Sequence, residues 1–159
     1  MAQPTIPDGW LGGLREIDID APPSVVMDVL ADPESYRRAL PSVYSLDVIG
    51  RGPQGEALTT IVTGNSLFHA RYTLHLFRER PDRVHFWLDE LLPHDIEGAD
   101  GFGEITPREG GGSHLAFFVA FDLHGPLRLL VGGKVQSAAM TTPERRRDSA
   151  EERARRANP

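Results

Sequence analysis

Of the residues able to do acid–base chemistry, the adjacent pair His94-Asp95 comes first. A carboxylate beside an imidazole holds its tautomer and raises its pKa, which suits enolisation and dehydration next to a ketone. Neighbours in a loop usually point apart, so surface or capping roles are the expectation for both. Tyr72 offers a phenol from inside a strand, although a packed tyrosine with one satisfied hydroxyl is the commoner use of such a residue. None of the six histidines are spaced His-x-His or His-x-x-x-His, and the chain has no cysteine to join them. No metal site is therefore expected; His69 and His75 share a strand face but stand too far apart along it to share an ion easily. No Gly-x-Ser-x-Gly elbow occurs, although composition alone leaves a Ser-His-Asp arrangement open. Gly110-Gly111-Gly112 lies between two expected strands rather than before a helix, which argues against a phosphate cradle. No catalytic residue and no cofactor are assigned.

The elements that must hold any site are clearest over residues 113–140. Leu115, Phe117, Val119, Phe121 and Leu123 alternate onto one face, the pattern of a strand with one buried side. Gly125-Pro126 ends that strand, because proline lacks the ladder N–H and suits a helix's first turn. Leu127, Leu130, Val131, Val135 and Ala138 then recur at helical spacing and form a stripe that needs a sheet beneath it. At about 100° per residue, Lys134 falls near the centre of that stripe. It is the only lysine in the chain. Burying an unpaired ammonium is costly, so Lys134 snorkels, is rotated out by a kink at Gly132-Gly133, or anchors a ligand's carboxylate or carbonyl.

Upstream, residues 14–20 read as a half-buried strand broken by Pro22-Pro23, and two short helices follow, the second stopped by Pro41. Five further strands are expected at about 43–51, 56–64, 67–80, 83–89 and 98–106, ahead of the long strand already described. Their short connections imply antiparallel neighbours. Phe68, Ala70, Tyr72, Leu74 and Leu76 should face the helix. Residues 144–159 contain no large apolar side chain, and six arginines there meet four carboxylates, so a solvated or frayed helical end is expected. The expected organisation is an N-terminal extension at 1–11, a ligand-binding domain at 12–142 and a charged tail at 143–159.

With 159 residues, 40% hydrophobic and 25% charged, the chain can bury a core without disulfides or metal. A net charge of -6 argues against general nucleic-acid binding. No run is long enough for a membrane span and no signal-peptide pattern is present. A cytoplasmic location fits this best, with an exported mature form left open, as is transient contact with a membrane or a protein.

The order strand, two short helices, six strands and long helix, together with 19–26 (Ile-Asp-Ala-Pro-Pro-Ser-Val-Val), 30–36 (Leu-Ala-Asp-Pro-Glu-Ser-Tyr), Leu40-Pro41 and 121–127 (Phe-Asp-Leu-His-Gly-Pro-Leu), resembles the START-like, or helix-grip, superfamily. The resemblance is to its polyketide cyclase/dehydrase and lipid-transport branch, which includes the coenzyme Q-binding proteins. It implies an α+β helix-grip fold, a curved antiparallel sheet wrapped around a C-terminal helix, enclosing an apolar cavity for a lipid, quinone, sterol or polyketide-like molecule. No catalytic residue transfers with it. Where such proteins often carry Gly-x-Trp, this chain has Gly101-Phe102-Gly103, so Gly103 should leave room in the cavity. Residues 91–98 read as an edge loop or lid. The expected function is binding or transport of a hydrophobic small molecule. Tyr72, Phe86, Gly103, Phe117, Phe121, Leu130 and Lys134 are the expected ligand contacts. A polyketide aromatase/cyclase using the same cavity, and an interaction protein whose cavity is simply filled, are the alternatives.

Overall fold

The computed structural model describes residues 3–39 and 42–157, leaving aside the side chains of residues 39 and 130–141. The expected contacts of Leu130 and Lys134, the rest of the stripe up to Ala138, and the kink at Gly132-Gly133 all lie outside the described side chains.

The chain runs β1 (Leu11–Ile19), α1 (Pro23–Ala31), α2 (Pro33–Ala39), β2 (Val43–Arg51), β3 (Ala57–Asn65), β4 (Phe68–Arg80), β5 (Arg83–Leu88), β6 (Gly98–Pro107), β7 (Ser113–Asp122) and α3 (Gly125–Ala157). Pro22 caps α1 and Pro23 occupies its first turn, where a missing N–H costs nothing. Asp32 ends α1 in an extended conformation, as the residue before Pro33 should.

All seven strands form one antiparallel sheet in the order β1-β7-β6-β5-β4-β3-β2. It is a meander except that the first strand pairs with the last, which leaves β1 and β2 at opposite edges. Alternation decides the faces. Tyr72 sits opposite Ile61, Leu74 opposite Thr59 and Leu88, and Leu76 opposite Ala57 and Phe86. This face continues through Gly101, Val119 and Phe117 to β1. It is the concave side, and the helices cover it. On the convex side stand His75, Trp87 and Phe102, with the His75 and Trp87 rings stacked 4.7 Å apart. Trp10 tucks against the body, its ring lying where a Cβ at Gly98 would come within 2.6 Å of it.

The largest departure from expectation is the C-terminal segment. Residues 144–157 are not a solvated end: α3 runs 33 residues, through Pro143, and is about 50 Å long. Arg146 and Ala150 are 1% and 0% exposed. Thr142, Arg146 and Ala150 follow one another four residues apart, so they line one helix face, and Ala154 continues it against the core. Small side chains on that face let the helix approach α1 and β1 closely. Two polar ties add to this: Arg15 Nη2 reaches Glu144 Oε1 at 2.6 Å, and the Asp20 N–H donates to Glu151 Oε1 at 3.0 Å.

Candidate functional site

The concave face carries an apolar wall with few polar atoms. A pocket there is lined by Tyr36 from α2, Thr59 and Ile61 from β3, Leu74 and Leu76 from β4, and Phe86 from β5. Tyr36 meets Phe86 edge-on with ring centroids 6.4 Å apart, and Phe86 tilts against Phe117 at 5.9 Å. Period-2 alternation is what brings Thr59, Ile61, Leu74, Leu76 and Phe86 to one side. Tyr36 arrives from the other side because Ser35 and Tyr36 on α2 turn inward, at 7% exposure each.

Two hydroxyls in this wall lack partners. Thr59 Oγ1 is buried and makes no hydrogen bond. Tyr72 lies diagonally across the β3–β4 pair from Thr59, and its hydroxyl has no hydrogen-bond partner among the described residues. Burial alone pushes the Tyr72 phenol above its ordinary range, so it stays protonated and acts as a donor. A buried hydroxyl without a partner costs about 1–3 kcal/mol, which is the cost that Thr59 Oγ1 carries in this wall.

A third polar group lies next to Tyr36. The Arg146 guanidinium stacks on the Tyr36 ring, 3.8 Å from its centroid. Nη1 donates to the Val29 carbonyl at 3.0 Å and to Ser35 Oγ. Val29 is in the last turn of α1, where carbonyls lack intrahelical partners and the helix end is partly negative, so a cation suits the position. Nε and Nη2 are buried with no partner. Burial lowers the guanidinium's pKa, an effect opposed by Tyr36 and by the charge of Asp32. Burial in turn raises the Tyr36 phenol, against the pull of Arg146.

The expected site residues fare unevenly. Tyr72, Phe86 and Phe117 are buried on the concave face, and Phe121 is half-buried beside the core. Gly103 does not leave room: a Cβ there would stand 2.9 Å from Leu30 Cδ1 and 3.6 Å from both Leu115 and Phe117. Leu30 of α1 occupies the space in front of Gly103. At Gly101 the Phe86 ring does the same, 2.2 Å from where a Cβ would stand. These glycines admit protein side chains. Tyr36, Thr59 and Arg146 are not among the expected contacts. The four-residue spacing of Thr142, Arg146, Ala150 and Ala154 is the one sign that could have pointed to the last of them.

His94 and Asp95 point apart. His94 Nδ1 lies 2.6 Å from the Ile96 carbonyl, and Asp95 Oδ2 accepts the Arg71 N–H at 2.7 Å. With the Asp95 N–H donating to the Arg71 carbonyl at 2.8 Å, residues 91–98 are stitched to β4 rather than poised as a free lid. The strand histidines all face the convex side. His75 bridges Glu56 at 3.0 Å and Asp89 at 2.9 Å, while His85 holds Asp100 and His114 holds Asp18. No group of three or more metal-ligating side chains occurs among the described residues.

Comparison with known proteins agrees with this architecture. The family model for polyketide cyclase / dehydrase and lipid transport matches residues 15–147, and the chain belongs to that family. A search of curated proteins finds no match. Among solved structures, the Zhui aromatase/cyclase from Streptomyces sp. R1128 is 16% identical with a TM-score of 0.75, covering 94% of this chain and 98% of that one. A protein from Thermus thermophilus is 23% identical with a TM-score of 0.68, over 94% and 99% of the two chains. A START superfamily protein from Mycobacterium smegmatis is 13% identical with a TM-score of 0.67, over 92% and 99%. At these identities the likeness is one of fold, the START-like helix-grip fold. No helix among the described residues is long and apolar enough to cross a membrane.

Proposed function

We propose that this chain binds a hydrophobic small molecule between the concave face of its sheet and its helices. The observation that carries the reading is the buried, unpartnered Thr59 Oγ1, with Tyr72 Oη near it and without a hydrogen bond among the described residues, in a wall otherwise made of Ile61, Leu74, Leu76, Phe86 and Phe117. Such a wall supplies affinity through burial, at about 25 cal/mol per Å² of apolar surface, and uses a few donors to orient one or two ligand oxygens. Membership of a family named for cyclisation, dehydration and lipid transport is consistent with that chemistry.

An aromatase/cyclase role is the second reading, favoured by the likeness to the Streptomyces aromatase/cyclase fold and by the same hydroxyls. General acid–base work needs a group whose pKa lies near the working pH. Tyr72 is pushed away from that range, and the strand histidines face the other side of the sheet. The wall is equipped to hold a carbonyl rather than to move its protons, and binding is the better-supported reading. Ligand contacts are proposed for Tyr36, Thr59, Tyr72, Phe86, Phe117 and Phe121.

Native mass spectrometry of the purified protein tests this directly. A co-purified apolar adduct, or saturable one-to-one uptake of an apolar fluorescent probe that Leu76→Trp abolishes in a folded variant, is the expected result. A protein free of adducts whose probe uptake is identical in that variant would remove the concave face as the site.

A further inference from the structure

We infer that the site includes an anion-binding subsite at Arg146, so that the ligand is an apolar molecule bearing a carboxylate. This deepens the proposed binding function and rests on it.

Arg146 uses only part of its guanidinium. Nη1 is committed to the Val29 carbonyl and Ser35 Oγ. The two atoms without partners, Nε and Nη2, lie on one edge of the guanidinium. Their N–H bonds run nearly parallel, the fork that takes both oxygens of one carboxylate. A residue needed only to cap the α1 carbonyls would not require that edge to be kept dry. Arg146 is 1% exposed, so bulk water does not satisfy the fork either. A buried charge with open donors is expensive unless an anion completes it.

No carboxylate among the described residues does so. Asp32 exerts a Coulombic effect on Arg146 but makes no hydrogen bond to it; its oxygens instead accept the Glu34 N–H at 3.1 Å and lie 3.7 Å from Arg153 Nη2. Glu144 and Glu151, on the same helix, are engaged with Arg15 and with the Asp20 N–H. The connection to the apolar wall is Tyr36, whose ring carries the guanidinium and also lines the pocket with Phe86 and Leu76. A ligand with its carboxylate on the fork would lay its apolar body along Tyr36 toward β3, β4 and β5.

The test compares laurate with methyl laurate, which differ only in the charged head. Binding is measured by isothermal titration to wild type, Arg146→Met and Arg146→Lys. Wild type should bind laurate at least tenfold more tightly than the ester. Arg146→Met should lose that preference while keeping its affinity for the ester, and Arg146→Lys, which lacks the fork, should recover it only in part. Because Arg146→Met also uncaps α1, a second measurement uses wild type alone: the carboxyl carbon of bound [1-13C]laurate, followed by NMR against pH. Its titration midpoint should fall below that of free laurate if the carboxylate sits on a guanidinium. Equal affinity of wild type for acid and ester, a preference that survives in Arg146→Met, or a midpoint above the free value overturns the subsite while leaving hydrophobic binding intact. Binding of neither probe overturns both.

Discussion

At the residue scale, the unpartnered groups make the sharpest tests. Thr59→Val exchanges a buried, unbonded hydroxyl for a methyl of similar shape, so the empty protein should gain about 1 kcal/mol of stability. Probe affinity should fall if that hydroxyl meets a ligand oxygen. Thermal melts with and without probe check both halves, and a loss of stability in the empty protein would mean the hydroxyl is satisfied. A second test at this scale is pH. His114 lies 2.8 Å from Asp18 and 3.4 Å from Glu16, with Arg108 also facing Asp18 at 3.5 Å. The hydrogen bond to Asp18 raises the His114 pKa, with burial opposing, and the same bond lowers that of Asp18. A raised histidine pKa gives stability that is fully present below about pH 6.5 and is lost as pH rises through the folded value. The lowered Asp18 value adds stability present above about pH 4 and lost as pH falls through it. His114→Gln should therefore lower the melting temperature at pH 6, and its gap to wild type should narrow by pH 9. A gap that stays constant between those values would show that the pair contributes nothing pH-dependent.

At the element scale, α3 is the part whose extent matters most. Removing residues 144–159 deletes buried Arg146 and Ala150 and the ties to Arg15 and Asp20. We expect the melting temperature to fall by more than about 5 °C, since about 1 kcal/mol shifts a chain of this size by roughly 2–4 °C. An unchanged midpoint would return the segment to the status of a solvated end. Gly101→Ala is the companion test: its Cβ meets Phe86 Cζ at 2.2 Å and the Phe118 carbonyl oxygen at 2.5 Å, and overpacking of this kind costs about 1–3 kcal/mol. A chemical denaturation midpoint equal to wild type would show that Phe86 moves aside freely. These elements also show why some of the molecule is legible in the sequence and some is not. Strands with one buried side advertise it by alternation, which is why Tyr72, Phe86 and Phe117 can be placed on the helix-facing side from residue types alone. The end of α3 packs through alanine and arginine stems, side chains whose burial no hydropathy pattern announces. Tyr36 sits on a seven-residue helix, too short to show a stripe, and Thr59 is a polar residue in a strand with both buried and half-buried positions. Gly103 reads as an opening because what fills it, Leu30, comes from an element 73 residues earlier in the chain.

At the scale of the whole molecule, ligand capture should appear as added stability. A probe that binds only the folded state at a hundred times its dissociation constant adds about 2.7 kcal/mol, visible as a concentration-dependent melting temperature. The topology has a further consequence, for the order in which the molecule is made. β1 finds its partner only in β7, Leu11 opposite Phe121, and the Val29 carbonyl, which already accepts from Ser35 Oγ, takes its second donor from Arg146, 117 residues on. The nascent chain therefore cannot complete its sheet before β7 is made, nor place Arg146 under α1 while the last helix is still in the ribosome. Until β7 is made the first strand has no neighbour in the sheet. Closing such long loops before any contact rewards them makes folding slow, and leaves the unfinished chain dependent on whatever shields exposed strands in the cell.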